Sequence, residues 1–158
     1  MGQGSKFNSA LSTTGGRANL VTSEDIASGD SFAKDILKEM EEEGIKFSKE
    51  KILFAVKLEN RKIIYLEIGD SQSGMIHILE RHGDDFAKAF ADQNVTKDNL
   101  QQFLCDTISK GKLVSSYRRD VNGKEGYCNV YYYKGHHTVV FSIASNGFII
   151  ESRPGKWR

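Results

Sequence analysis

The stretch GMIHILERH, positions 74 to 82, holds two of the chain's four histidines with an arginine between them, in otherwise mainly apolar surroundings. Imidazole changes charge near neutral pH and can give or take a proton in a reaction, and a guanidinium binds phosphate or carboxylate oxygens. On a regular helix with Met75 set to zero, the apolar face centres at about 20°, His77 falls at about 200° and Arg81 at about 240°. His82 falls at about 340°, inside the apolar face. The spacing therefore predicts that His77 and Arg81 are available together for chemistry or ligand contact. His82 is expected to be a hydrogen-bonded residue holding the helix end, with Gly83 ending the helix, so the two histidines are not expected to share one cleft. The bland alternative is a solvated helix face with no chemistry.

Several other chemistries lack their residues. His77 and His82 stand five apart rather than four, and no H-E-x-x-H pattern is present. His136 and His137 are adjacent on a strand and point to opposite sides, so a metal centre is not expected there. Cys105 and Cys128 are too few for a structural zinc site or a disulfide scaffold and are expected to be buried thiols. No phosphate-binding G-x-x-x-x-G-K-[ST] loop, dinucleotide-binding G-x-G-x-x-G or nucleophile-bearing G-x-S-x-G occurs. No cofactor is expected.

The elements that must position His77 and Arg81 follow from periodicity. The 158 residues suffice for one domain with a hydrophobic core, and no apolar run approaches the length of a membrane span. Residues 1 to 29, rich in Gly, Ser, Thr and Asn, are expected to be a flexible lead-in or linker without a secretory signal pattern, and residues 30 to 158 a single domain. Phe32, Ile36, Leu37 and Met40 recur at helical spacing behind a capping Asp30 or Ser31 and ahead of Gly44. KILFAVKL and KIIYLEI around Glu59-Asn60-Arg61 predict a hairpin. Helical spacing returns at 74 to 90 and at about 97 to 109, the latter capped by Thr96 or Asp98 and stopped at Gly111.

After Gly111 the period becomes two. Asn122-Gly123, Lys134-Gly135 and Asn146-Gly147 separate four strand-like runs, which predicts a four-stranded antiparallel meander. The expected class is α+β, with N-terminal helices and a hairpin packed on that C-terminal sheet. In the third of these strands His137, Val139, Phe141 and Ile143 are expected to face the core. Thr138, Val140 and Ser142 are expected to look outward, joined by Tyr132 or else by Tyr131 and Tyr133.

Charge divides along the same line. Residues 1 to 109 carry 13 Lys/Arg against 18 Asp/Glu, and residues 110 to 158 carry 9 against 3. A basic, tyrosine-rich sheet beside a histidine and an arginine suits RNA: cations for phosphates, rings for stacking on bases, imidazole for proton transfer.

The segment GMIHILERHGDDF resembles a G-x-x-H-I-x-x-R-H-x-x-D-F signature of phage and polymorphic-toxin nuclease domains with the barnase, EndoU, colicin E5/D and RelE-like fold. Gly74, His77, Ile78, Arg81, His82, Asp85 and Phe86 stand at the matching places, and the final strands, YCNVYYYKGHHTVVFSIASNGFIIESRPG, are similar to the end of such domains. The resemblance covers about residues 50 to 154. It implies a toxin ribonuclease, often aimed at tRNA, carried at the end of a larger delivery protein, neutralised by a cognate immunity protein and acting in the cytoplasm of a target cell. The lead-in would then be the junction to the delivery module.

The reaction these residues could run is attack of the ribose 2′-OH on the adjacent phosphorus, leaving a 2′,3′-cyclic phosphate. His77 would be base or acid and Arg81 would hold the phosphate. A hydroxyl of Thr138, Ser142 or Ser152 would bind a phosphate oxygen, and one of Tyr131, Tyr132 and Tyr133 would stack on a base or assist proton transfer, with His82 in support. Arg118, Arg119, Lys134, Arg153 and Lys156 would track the RNA backbone. Two other readings use the same residues: a non-catalytic nucleic-acid-binding module, and an effector of the ADP-ribosyl transferase type, for which no nicotinamide-binding pattern is found.

Overall fold

The computed structural model describes residues 19–121 and 123–155. Lys156, Asn122 and most of the expected lead-in lie outside them. The chain is α+β, and a four-stranded antiparallel sheet follows the helices near its C-terminal end as the turn pattern predicts. No helix among the described residues is long and apolar enough to cross a membrane.

Structure begins earlier than expected. Strand β1 (Leu20–Thr22) and the short helix α1 (Ser23–Ser28) fall inside the supposed lead-in. Val21 is completely buried and pairs with Ala55, while Thr22 and Asp25 close a reciprocal cap on α1, each side chain bonding the other's backbone N–H. Three strand residues are too few to show a period, which is why composition alone reads this stretch as linker.

Helix α2 (Ser31–Glu42) starts at Asp30, whose carboxylate accepts from the Ala33 N–H at 3.1 Å. Strands β2 (Ile52–Lys57) and β3 (Ile63–Glu67) form the expected hairpin, and β1 completes a three-stranded sheet in the order β1-β2-β3. Ala33, Ile36 and Met40 of α2 pack on one face of it, against Ala55, Ile63 and Tyr65. The opposite face, Phe54, Val56, Ile64 and Leu66, joins the main core with helices α3 (Met75–Ala89) and α4 (Leu100–Lys110).

Strands β4 (Lys112–Val121), β5 (Lys124–Tyr133), β6 (His136–Ile143) and β7 (Ile149–Gly155) follow in spatial order, each antiparallel to the last. Lys134 and Gly135 both have positive φ, 55° and 84°, as a two-residue type I′ turn requires. The two sheets meet at Gly147, whose carbonyl accepts from the Tyr65 N–H at 3.0 Å. A side chain at Gly147 would collide with the Ile63 carbonyl, so only glycine allows this approach.

The expected sidedness of β6 is reversed. Val140 lies in the main core beneath α3 and α4, with buried Thr138 and Ser142 in the same alternating row. Val139 and Phe141 face the other way and form a small cluster with Cys128 and Val130. Alternation shows which residues share a face, but here both faces are apolar, so it could not show which one meets the helices. The outer cluster is shielded instead by arginines: the guanidinium carbons of Arg119 and Arg153 lie 5.3 and 5.4 Å from the centre of the Phe141 ring.

Two helix-end expectations also change. Helix α3 continues through Gly83 to Ala89, because Gly83 serves as a packing slot: a Cβ there would sit 3.0 Å from Lys97 Cε. Asn99, rather than Thr96 or Asp98, is the N-cap position of helix α4, while Thr96 and Asn99 close a turn just ahead of it through bonds to the N–H groups of Asp98 and Thr96.

Candidate active site at the edge of the outer sheet face

Strand β7 is an edge strand, and α3 runs beside it. The connection is made at Gly74, whose N–H donates to the Ile150 carbonyl at 3.0 Å and whose α-carbon region packs tightly on Gly69. Pairing between β6 and β7 shifts after Phe141↔Glu151, since the next pair is Ser142↔Ile149. Such an irregularity re-aims side chains at a sheet edge. Glu151 belongs to the outer row with Phe141 and reaches across the edge to α3.

Both histidines of α3 meet that carboxylate. His77 Nε2 lies 3.1 Å from Glu151 Oε1, and its Nδ1 lies 2.8 Å from the Ser71 carbonyl. His82 Nε2 lies 3.4 Å from the same Glu151 oxygen, and its Nδ1 lies 3.0 Å from Asp85 Oδ2. The expectation that the two histidines serve different places is thereby corrected. Their directions on the helix diverge, but an acceptor from a neighbouring strand sits between them. His77, expected on the solvated face, is 8% exposed. The His82 side chain is 17% exposed and that of Glu151 27%, so the cluster opens toward solvent at His82.

Each imidazole has oxygen acceptors at both nitrogens, whereas a neutral ring has a single proton to donate. While neutral, each ring can therefore donate to only one of its two acceptors. Burial alone would raise the Glu151 carboxyl, but the hydrogen bond from His77 and the charge and hydrogen bond of His82 outweigh it, so it is held below the ordinary value. No hydrogen bond to Glu151 Oε2 occurs among the described residues.

Around the cluster the outer face carries cations and rings. His82, Asp85, Lys88 and Arg153 border a shallow recess of about 500 Å³. Arg119 lies beyond Phe141, and Tyr117 and Tyr132 are 47% and 45% exposed. The Tyr132 ring packs 5.1 Å from that of His137.

The sequence-derived candidates divide accordingly. His77 and His82 share Glu151, Arg153 borders the recess beside His82, and Arg119 and Tyr132 lie on the same outer face, opposite Gly126 and Lys112 in the strand register. Arg81 is exposed but makes no hydrogen bond or ion pair among the described residues and does not join Glu151. The expected hydroxyls lie on the wrong side: Thr138, Ser142 and Ser152 are buried on the helix-facing surface. Ser152 donates to the Val139 carbonyl at 2.8 Å, and Thr138 Oγ1 is buried without a hydrogen-bond partner among the described residues. Tyr131 is buried in the core, and Tyr133 packs on Phe103. Arg118 points away from Arg119, pairing with Glu125 above the Tyr127 ring, and Lys134 lies over Tyr133. Lys156 lies outside the described residues.

Glu151 was missed. Its only local signal is a single carboxylate inside the apolar strand FIIES, and the partners that give it meaning are distant in sequence. Among the described residues, no group of three or more His, Cys, Asp or Glu side chains is arranged to hold a metal ion.

Comparison of the chain with protein-family models and with curated proteins finds no match.

Proposed function

We propose that this chain is a ribonuclease domain that cleaves RNA by 2′-OH transesterification, with Glu151 and His82 as the proton-transfer pair. The observation that carries the reading is the sharing of Glu151 by His77 and His82 at the edge of a sheet face bearing Arg119, Arg153 and two exposed tyrosines. His77 holds Glu151 through Oε1, which leaves Oε2 to take the proton from the ribose 2′-OH. The 2′-oxygen then bonds to phosphorus as the bond to the 5′-oxygen breaks, and protonated His82 gives its proton to that leaving oxygen. The products are a 2′,3′-cyclic phosphate and a 5′-OH end. Arg153 and Lys88 border the same recess and supply positive charge for the phosphorane, and Tyr132 offers a ring for base stacking.

The sequence resemblance supports the biological setting: a toxin domain of the barnase, EndoU, colicin and RelE-like type, delivered by a larger protein, acting on tRNA in a target-cell cytoplasm and blocked by an immunity protein. The α+β architecture is compatible with that resemblance.

The test is incubation of the chain with total bacterial RNA in EDTA, beside Glu151→Gln and His82→Ala, with sequencing of new ends. Discrete fragments ending in cyclic phosphate, lost in both variants, are expected. RNA left intact by the native chain but still bound by it would replace catalysis with the binding-module reading.

A further inference from the structure

The strand register lays one row of side chains straight across the outer face of the four-stranded sheet. Glu151 pairs with Phe141, Phe141 with Cys128 and Cys128 with Tyr117, so the row runs from the Glu151 cluster at the β7 edge to Tyr117 on the opposite edge strand, β4. Three strand spacings separate its ends by roughly 14 Å. Phe141 and Cys128, between them, are buried, and Tyr117 is exposed.

Two guanidiniums flank this row. Arg153 stands two residues beyond Glu151 on β7, and its guanidinium carbon lies 5.4 Å from the Phe141 ring centre. Arg119 stands two residues beyond Tyr117 on β4. Its register partner Gly126 has no side chain to block the way across β5, and its guanidinium carbon lies 5.3 Å from the same ring. Neither arginine forms an ion pair among the described residues, whereas Arg118, on the other face, is paired with Glu125. Among the described residues Glu151 is the one carboxylate in the outer rows of these strands, against Lys112, Arg119 and Arg153. The Tyr117 hydroxyl interacts with the Cys128 thiol and with Arg119, which holds the ring beside that guanidinium.

An exposed ring beside a guanidinium that lacks an acidic partner suits one unit of a nucleic-acid strand: the base stacks on the ring and the phosphate takes the cation. The excess of cations on this face selects a polyanion over a neutral or basic ligand. Stacking of this kind needs a base free of its pairing partner. We propose that Tyr117 and Arg119 form a second nucleotide subsite at the far end of the row, which stacks an unpaired base and holds the phosphate beside it. The inference rests on the ribonuclease reading of the Glu151 site. It makes the substrate an unpaired stretch of a few nucleotides laid across the strands, because a single nucleotide at Glu151 does not reach Tyr117.

The experiment is fluorescence-anisotropy binding of labelled 2′-O-methyl RNA, as a strand of about six nucleotides and as a dinucleotide, to the whole chain; the blocked 2′-oxygen keeps cleavage out of the readout. The native chain is expected to bind the longer strand at least about ten-fold more tightly than the dinucleotide. Tyr117→Leu should weaken the longer strand at least about five-fold without changing dinucleotide binding, and Tyr117→Phe, which keeps the ring, should restore most of the loss. A fully paired 2′-O-methyl duplex should not distinguish Tyr117→Leu from the native chain. On the native chain, the NMR amide signals of Tyr117 and Arg119 should shift with the longer strand and not with the dinucleotide, a readout that decides the matter even if a variant fails to fold. Equal affinity for both lengths, undiminished binding by Tyr117→Leu, no rescue by Tyr117→Phe, or an equal loss on duplex would overturn the subsite. RNA left intact in the cleavage assay while the Tyr117 dependence holds would remove the ribonuclease reading and keep the subsite; cleavage without any Tyr117 dependence would do the reverse.

Discussion

Replacing Glu151 by glutamine keeps the size of the side chain and removes its charge, which tests the histidine cluster through both stability and activity. The carboxylate accepts from His77 at 3.1 Å and faces His82 at 3.4 Å. A hydrogen bond to a charged group contributes about 1.5–3 kcal/mol, and the partial exposure of Glu151 reduces this, so a loss of about 1–2 kcal/mol at neutral pH is expected. In a chain of this size that corresponds to a fall of roughly 3–7 °C in Tm, read by calorimetry. The pH dependence gives a second, sharper readout. Because Glu151 is held below its ordinary value of 4.5, the native state binds fewer protons at this site than the unfolded chain. Its contribution is therefore present above about pH 4.5 and lost as the pH falls through the lower folded value. Glu151→Gln removes that acid limb, so the stability gap between native and variant should narrow on acidification. Cleavage of RNA, if Glu151 is the base, should fall by about 100-fold or more. A gap that stays constant from neutral to acidic pH would refute the account of the cluster, and a variant that cleaves RNA like the native chain would remove Glu151 from the reaction.

The other expectations concern neighbouring features. Thr138→Val replaces a buried hydroxyl that has no partner among the described residues, so chemical denaturation should show a gain of about 1 kcal/mol with RNA cleavage unchanged; lost cleavage would restore Thr138 to the site. Gly83→Ala gains helix propensity but presses on the Lys97 stem at 3.0 Å, so stabilisation should stay below about 1 kcal/mol alone and approach that value when Lys97 is also changed to Ala. An equal gain in both backgrounds would mean that Lys97 does not use the slot. Arg119→Ala and Arg153→Ala should each lower the slope of log RNA affinity against log salt by roughly one unit, and unchanged slopes would place RNA elsewhere.

How much of this was legible in the sequence depends on the distance over which each feature is decided. The turn at Lys134-Gly135 and the cap at Asp30 are local: backbone angles and one side chain suffice, and both appear where expected. The three residues of β1 carry no period of their own and become a strand because Val21 is buried beside α2 and β2. Alternation along β6 correctly groups Thr138, Val140 and Ser142 on one side and His137, Val139 and Phe141 on the other. The face that meets the helices is settled by α3 and α4, which leave Phe141 to be covered by two arginines.

The site follows the same rule. His77 and His82 stand out by type and spacing, but the helix wheel assigns them to separate surfaces because it knows nothing of what lies beside the helix. Glu151 lies 74 residues from His77 in the chain and only 3.1 Å away in space. Its approach depends on the irregular β6–β7 pairing and on the Gly74 bond to Ile150, neither of which leaves a periodic trace. A single carboxylate in an apolar edge strand is the local sign of such a group, and it gains meaning only when a helix bearing unspent donors can reach that edge.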